Sequence, residues 1–153
     1  MRLKYSVKSF DEFSSRELYM ILQLRMEVFI VEQNCPFMDL DGNDYDALHL
    51  LLIHDNRCVA YARIHKDKNT TDGLSLISRV MIVKDFRGKG LAYDLMNQAI
   101  EQAKICSPKA DIKIAAQKRL QNFYEKCGFV YEGEDYVEDG IPHCTMYYKW
   151  TTM

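Results

Sequence analysis

Arg87, Gly88, Lys89 and Gly90 follow the apolar stretch Val80-Met81-Ile82-Val83 and lead into a run with helical spacing that opens Leu91-Ala92-Tyr93. Small residues around a cation, just ahead of a helix, suit one chemistry. Backbone N–H groups can approach an anion closely there, and the helix N-terminus adds partial positive charge. A plain turn uses the same residues, so the pattern alone leaves both readings open. Two familiar nucleotide loops are excluded. A P-loop requires Ser or Thr after its Lys, whereas Lys89 is followed by Gly90. A dinucleotide fingerprint needs a small third residue where Tyr93 stands.

The elements that would position this loop can be read from periodicity. Leu3, Tyr5 and Val7 alternate with polar residues, as in a half-buried strand. Ser14 and Glu17 have capping-box spacing, and Leu18, Ile21, Leu22, Arg25, Val28 and Phe29 follow at helical intervals, which predicts a helix over 15–28. The stretch from Glu32 to Asp46, rich in Asn, Asp, Gly and Pro, reads as a structured loop or broken helix with a weak acidic bias. Ala47 to His54, a turn at Asp55-Asn56, and Cys58 to Ile64 read as a hairpin of buried strands. Leu74 to Val83 is a further strand. Ala92, Leu95, Met96, Ala99 and Ala103 mark a second helix that stops before Pro108. Asp111 to Ala116 is a fifth strand, Lys118 to Cys127 a short helix with Gly128 suited to its cap, and two strands flank Asp139-Gly140. The result is a mixed α/β (α+β) domain in which strands outnumber helices. Regular βα alternation, the mark of a doubly wound parallel sheet, is missing.

Length and composition narrow the class. A chain of 153 residues, 48% hydrophobic and 27% charged, is expected to form one domain over 1–153. Its longest nearly apolar stretch, Ala47 to Ile53, is strand-sized and includes His49. No apolar segment of signal-peptide length stands at the start, so a cytoplasmic location and no membrane association are expected. A formal net charge of −2 argues against general binding to nucleic acid. The five cysteines are odd in number and lack CxxC spacing, which supports neither a disulfide framework nor a metal site.

Arg87, Gly90 and Ala92, preceded by the strand Ser78-Arg79-Val80-Met81-Ile82-Val83, resemble motif A of the GNAT superfamily of acetyl-CoA-dependent N-acetyltransferases. Phe123-Tyr124-Glu125-Lys126-Cys127-Gly128-Phe129 resembles a second segment of that family. Gln117 stands where the family usually has Asn, so the amide is kept on a longer arm. The stretch from Leu24 to Leu50, the phrase Ala115 to Phe129 and the ending Gly133 to Met146 are similar to the ElaA-like subfamily. The resemblance implies a GNAT-like fold, with a central mixed, mostly antiparallel sheet of about seven strands flanked by helices. It implies that Arg87, Gly88, Lys89, Gly90, Leu91, Ala92 and Tyr93 hold the pyrophosphate of coenzyme A. By the same resemblance Val80, Met81 and Ile82 pair with its pantetheine arm, and Gln117 and Tyr124 complete the cofactor contacts. Acetyl-CoA is then the co-substrate, with no metal.

Acetyl transfer to an amine needs a neutral nucleophile, a polarised carbonyl and a proton for the thiolate. Alkyl ammonium groups have a pKa of about 10.4, so a proton must be removed. The family match makes Tyr124 the general acid, and a backbone N–H near Met81 suits the oxyanion. Some relatives carry a Glu base on the fifth strand, but here that strand is DIKIAAQ, with Asp111 only at its start. Glu32, Asp41, His49 and His143 remain as bases, His143 preferred for its place in the last hairpin. His49, inside an apolar run, also reads as a hydrogen-bonded core residue. Arg25 reads either as a bidentate partner for an acceptor carboxylate or as half of a helix-surface salt bridge. Arg25, Glu32 and His49 are thus the acceptor-side candidates. Cys127, at a helix C-terminus, is a poor nucleophile. The acceptor is expected to be a small-molecule or peptide amine, and a homodimer is left open. Two alternatives stand beside this reading. Arg25 to Phe29 resembles the acylhomoserine lactone synthases, which take acyl groups from other carriers, and a non-catalytic acyl-CoA-binding regulatory module would share the same loop.

Overall fold

Ser14 and Glu17 close the capping box that their spacing predicts. The Ser14 N–H donates to Glu17 Oε1 at 2.9 Å and the Glu17 N–H to Ser14 Oγ at 3.1 Å, an arrangement that stabilises a helix start by about 1 kcal/mol. From this cap α1 runs over Ser15–Met26. The backbone then loosens into a π-helical stretch, Glu27–Glu32, so helical structure passes the expected end at Val28. The chain leaves this stretch through another five-residue step, in which the Cys35 N–H donates to Ile30 O at 2.9 Å, and Pro36 ends the series.

The computed structural model describes residues 3–152, and the chain divides into two compact units. The first takes the chain up to Ile64 together with Arg79–Leu95, and the second takes His65–Ser78 together with the chain from Met96 onward. The strands are β1 (Lys4–Ser9), β2 (Leu48–His54), β3 (Arg57–His65), β4 (Ser75–Ile82), β5 (Ile112–Gln117), β6 (Val130–Glu138) and β7 (Ile141–Tyr148), in the sheet order β1-β2-β3-β4-β5-β7-β6.

In the first unit β1 pairs antiparallel with β2, and β2 with β3 across the turn at Asp55 and Asn56. Both turn residues have positive φ, +50° and +60°, the pattern of a two-residue hairpin whose twist matches its strands. Ile21, Leu24 and Val28 from the helical side and Leu50, Leu52, Val59, Ala60 and Ile64 from the strands are buried here. In the second unit β4 pairs parallel with β5 from Ser75↔Ile112 to Ile77↔Ile114. β7 then runs antiparallel to both β5 and β6. The helix α2, Leu91–Cys106, starts in the first unit and continues in the second, where Met96, Ala99, Ile100 and Ala103 are buried. The short α3, Gln121–Lys126, ends at Gly128 with φ +101°. Any Cβ there would lie 2.8 Å from the Tyr148 ring, so glycine is required by both backbone and space. The mixed, mostly antiparallel sheet agrees with the expected fold class. No disulfide forms among the described residues.

Candidate functional site

The loop after β4 is shaped by its sequence. A single 3-10 turn, Lys84–Phe86, buries Phe86 and leads to Arg87. Gly88 and Gly90 then take φ +75° and +78°, the left-handed region that side chains strain to enter. A Cβ at either position would meet nothing within 4 Å, so the space beside both glycines is open. Leu91 follows as the first residue of α2. Backbone N–H groups at a helix start, beside open space, are able to bind an anion such as a phosphate group. Arg87 folds over the same stretch. Its Nε donates to Ile82 O at 2.8 Å, and one terminal nitrogen pairs with Glu32 Oε2 at 2.6 Å. Lys89 Nζ lies 5.1 Å from the Phe86 ring centroid.

Two features mark β4. Its ladder with β5 ends at Ile77↔Ile114 among the described residues. Inside the strand, Arg79 has φ +53°, a conformation uncommon for a residue with a long side chain. A left-handed residue within a strand breaks the regular pleat and re-aims the residues after it. Val80, Met81 and Ile82, the residues expected to face the pantetheine arm, come next.

The acidic stretch after α1 is a buried charge network. Arg25 is 0% exposed; its Nε donates to Asp39 Oδ2 at 2.8 Å, one terminal nitrogen to Asp44 Oδ1 at 2.7 Å and the other to Asp39 O at 3.1 Å. Arg63, on β3, donates to both Asp41 oxygens and to Asp44 Oδ1, each at 2.9 Å. Arg79 closes the set on Asp39 Oδ1 at 2.7 Å and Asp39 O at 3.0 Å, and reaches Asp41 at 3.3 Å. Burial alone would raise the carboxyl pKa values of Asp41 and Asp44. Hydrogen bonds from the arginines outweigh it and hold both below the ordinary value.

These contacts correct two of the acceptor-side expectations. Arg25 is neither at the helix surface nor open to a carboxylate from outside, because Asp39 and Asp44 occupy its guanidinium. His49 is 1% exposed, with Nε2 2.9 Å from Asp44 O and Nδ1 2.6 Å from Tyr61 Oη. A carbonyl only accepts, so Nε2 carries the proton and Nδ1 accepts from the tyrosine. Burial lowers the His49 pKa further, which fixes it as a neutral core residue. Asp41 is likewise engaged with arginines, and Asp111 accepts from Thr151 N and Oγ1 at 3.0 and 2.7 Å. Glu32 lies against Arg87. The reading of the sequence missed Arg63, Arg79 and Asp39; the available signal was four aspartates within one short loop, three of them in the network, and three arginines on three separate elements.

In the second unit Tyr124, on α3, is buried between Phe123 and Phe129, with ring centroids at 5.0 and 6.0 Å. Burial raises its pKa above the ordinary tyrosine value, so it keeps its proton at neutral pH. His143, on β7, pairs in register with Gln117 and stacks on Tyr136 at 5.8 Å. Its Nδ1 is 2.7 Å from Ile141 O, a carbonyl that only accepts, so Nδ1 carries a proton, and Nε2 lies 3.6 Å from Glu138 Oε2. Gln117 Oε1 accepts from Arg119 Nε at 3.0 Å. Burial pushes the Cys127 thiol up to about 11, consistent with an inert thiol. Among the described residues no group of three or more His, Cys, Asp or Glu is arranged to hold a metal ion, and no helix is long and apolar enough to cross a membrane.

Comparison with known proteins bears on both units. The acetyltransferase (GNAT) domain model matches residues 23–150. Protein ElaA of Escherichia coli is 42% identical over 138 residues, 89% of this chain and 90% of that one. The crystal structure of Escherichia coli ElaA superposes with a TM-score of 0.89 at 38% identity, covering 97% of this chain and 100% of that chain. An acyl-CoA N-acyltransferase from Pseudomonas aeruginosa gives a TM-score of 0.90 at 37% identity, with 95% and 99% covered. The CoA-dependent acyl-homoserine lactone synthase BjaI, at 16% identity and a TM-score of 0.77 over 99% of this chain and 86% of that one, shares the fold.

Proposed function

This chain belongs to the GNAT acetyltransferase family, and from that premise we propose that it moves an acetyl group from acetyl-CoA directly to the primary amine of a small molecule or peptide. The observation that carries the reading is the position of Gly88 and Gly90, two left-handed glycines beside open space directly before the first residue of α2, where free backbone N–H groups suit a diphosphate. Bound acetyl-CoA supplies the acyl group already activated as a thioester.

The remaining tasks fall to the chain's own residues. Arg87 and the N–H groups of residues 88 to 93 hold negative charge. Val80, Met81 and Ile82 present backbone groups for strand-like pairing with an amide-bearing arm, and the Met81 N–H is the donor assigned to the oxyanion. Tyr124, protonated at neutral pH, is assigned as the acid that delivers a proton to the leaving thiolate. His143 is assigned as the base: its Nδ1–H donates to Ile141 O, which leaves Nε2 as the nitrogen assigned to take the proton.

Calorimetric titration with acetyl-CoA, followed by thiol release against polyamines, amino acids, amino sugars and peptides, tests the reading. Longer acyl-CoA thioesters belong in the same panel, since the Pseudomonas aeruginosa relative is described as an acyl-CoA N-acyltransferase. Binding with turnover on one amine class is the expected result. Binding without turnover on any amine would turn the reading towards a binding module, and no binding would overturn it. Tyr124→Phe is expected to lower kcat by about a hundredfold with the affinity for acetyl-CoA nearly unchanged; a rate within twofold of the parent would remove Tyr124 from the mechanism.

A further inference from the structure

Arg79 is the first residue of the second segment of the first unit, and it does two unusual things at once. Its backbone sits at φ +53° inside β4, and its side chain leaves the strand to grip a loop distant in sequence. The grip is two-pronged on one residue, Nε on the Asp39 carboxylate and a terminal nitrogen on the Asp39 carbonyl, with Asp41 as a third acceptor. Asp39 is itself anchored from the other side by Arg25, fully buried on α1. A non-glycine residue in the left-handed region persists only where surrounding contacts over-determine it. Here the contacts are named, and they all run through the side chain of the strained residue.

We propose that the Arg25–Asp39–Arg79 relay is a positioning device that holds Arg79 in the left-handed conformation and thereby aims the backbone N–H groups of Val80 and Met81. This rests on the proposed function, in which the Met81 N–H faces the thioester oxygen. Arg79 is a positioning residue, acting through the backbone it holds. The other two arginines have a different duty: Arg25 and Arg63 side chains are 1% and 3% exposed, whereas that of Arg79 is 25% exposed at the rim of the network. Removing the Arg79 side chain leaves Asp39 still paired with Arg25, and Asp41 and Asp44 still paired with Arg63.

Two substitutions at this position separate backbone from charge. Arg79→Ala and Arg79→Gly lose the same ion pairs, but only glycine accepts a positive φ without strain. Arg79→Ala is expected to lower kcat about tenfold or more, since the oxyanion donor is misaimed, while calorimetric affinity for acetyl-CoA changes little. Arg79→Gly is expected to stay within about threefold of the parent on both measures. Amide proton and nitrogen chemical shifts of Val80 and Met81 should move in Arg79→Ala and stay near the parent's in Arg79→Gly. Equal kcat losses in both variants, or full activity in both, would overturn the proposal. If the parent itself turns over no amine, the proposed function fails separately, and the amide shifts alone decide: unmoved signals in Arg79→Ala would refute the positioning role.

Discussion

Two loops of the first unit are built on opposite principles. The loop that carries Asp39, Asp41 and Asp44 satisfies its charges internally: every one of those carboxylates meets an arginine at 2.7–2.9 Å. The loop that carries Gly88 and Gly90 runs directly into the start of α2, with two left-handed glycines, one residue apart, beside open space. One loop is finished by the protein's own residues, and the other is the one to which the proposed function assigns a ligand from solution. Charge alone does not mark a ligand site, since both loops are rich in charge and Asp39, Asp41 and Asp44 direct theirs at the protein's own arginines.

The sharpest way to break this contrast is at Gly90. Gly90→Glu puts bulk and a negative charge in the open space and should remove detectable acetyl-CoA binding by calorimetry. Gly90→Ala serves as its control, because it introduces the positive-φ strain of roughly 1 kcal/mol but little bulk. An equal loss in both would mean that backbone shape, and not blocked space, explains the effect. Unchanged affinity in Gly90→Glu would end the phosphate assignment.

The aspartate loop should respond in stability first. Asp44→Ala leaves Arg25 and Arg63 short of a shared partner, and removing one member of a buried ion network typically costs about 3–5 kcal/mol. Urea unfolding measures this directly, and a loss below about 1 kcal/mol would show that the network is dispensable.

The smallest effect is a gradual one with pH. Asp41 and Asp44 have folded pKa values held below their unfolded ones. Their stabilising contribution is therefore complete above the ordinary carboxylate range, near about pH 4, and is lost as pH falls towards the folded values. Unfolding midpoints should be flat from neutral pH down to that range and then decline. In an Arg63→Met variant the folded pKa values rise towards the unfolded ones, so the decline should be shallower; an unchanged profile would assign acid sensitivity to other carboxylates.

The same contrast explains what could be read in advance. The glycine loop is local: strand, turn residues and helix start adjoin in sequence, so its shape was legible from IVKDFRGKGLAY. The capping box at Ser14 and Glu17 and the hairpin turn at Asp55-Asn56 were legible for the same reason. The aspartate network was not, because its pairs span separations such as Asp39 to Arg79 and Asp44 to Arg25, and a loop of Asp, Asn and Gly looks solvated until partners are known. Arg25 was misplaced on the acceptor side on that account, whereas for His49 the structure bears out the hydrogen-bonded core reading over the acceptor-side one. An arginine at a helical core position needs buried carboxylates, and nothing near it in sequence announces them. The π-helical stretch after Met26 was also out of reach, since Val28 to Val31 continues the apolar run with no residue that marks a change of helical pitch.

The division of the chain has a consequence for its birth on the ribosome. Neither compact unit is a continuous piece of polypeptide, because the chain changes unit after Ile64, after Ser78 and after Leu95. The first unit must wait for Arg79–Leu95 to emerge, with the segment His65–Ser78 already made and still lacking most of its own unit. That segment carries Ser75 to Ile77, whose partners Ile112 to Ile114 are translated later. A protein threaded in this way cannot complete one half before starting the other, and no single cut in the chain would release either unit intact. Any truncation library or split reporter built on this protein inherits that constraint.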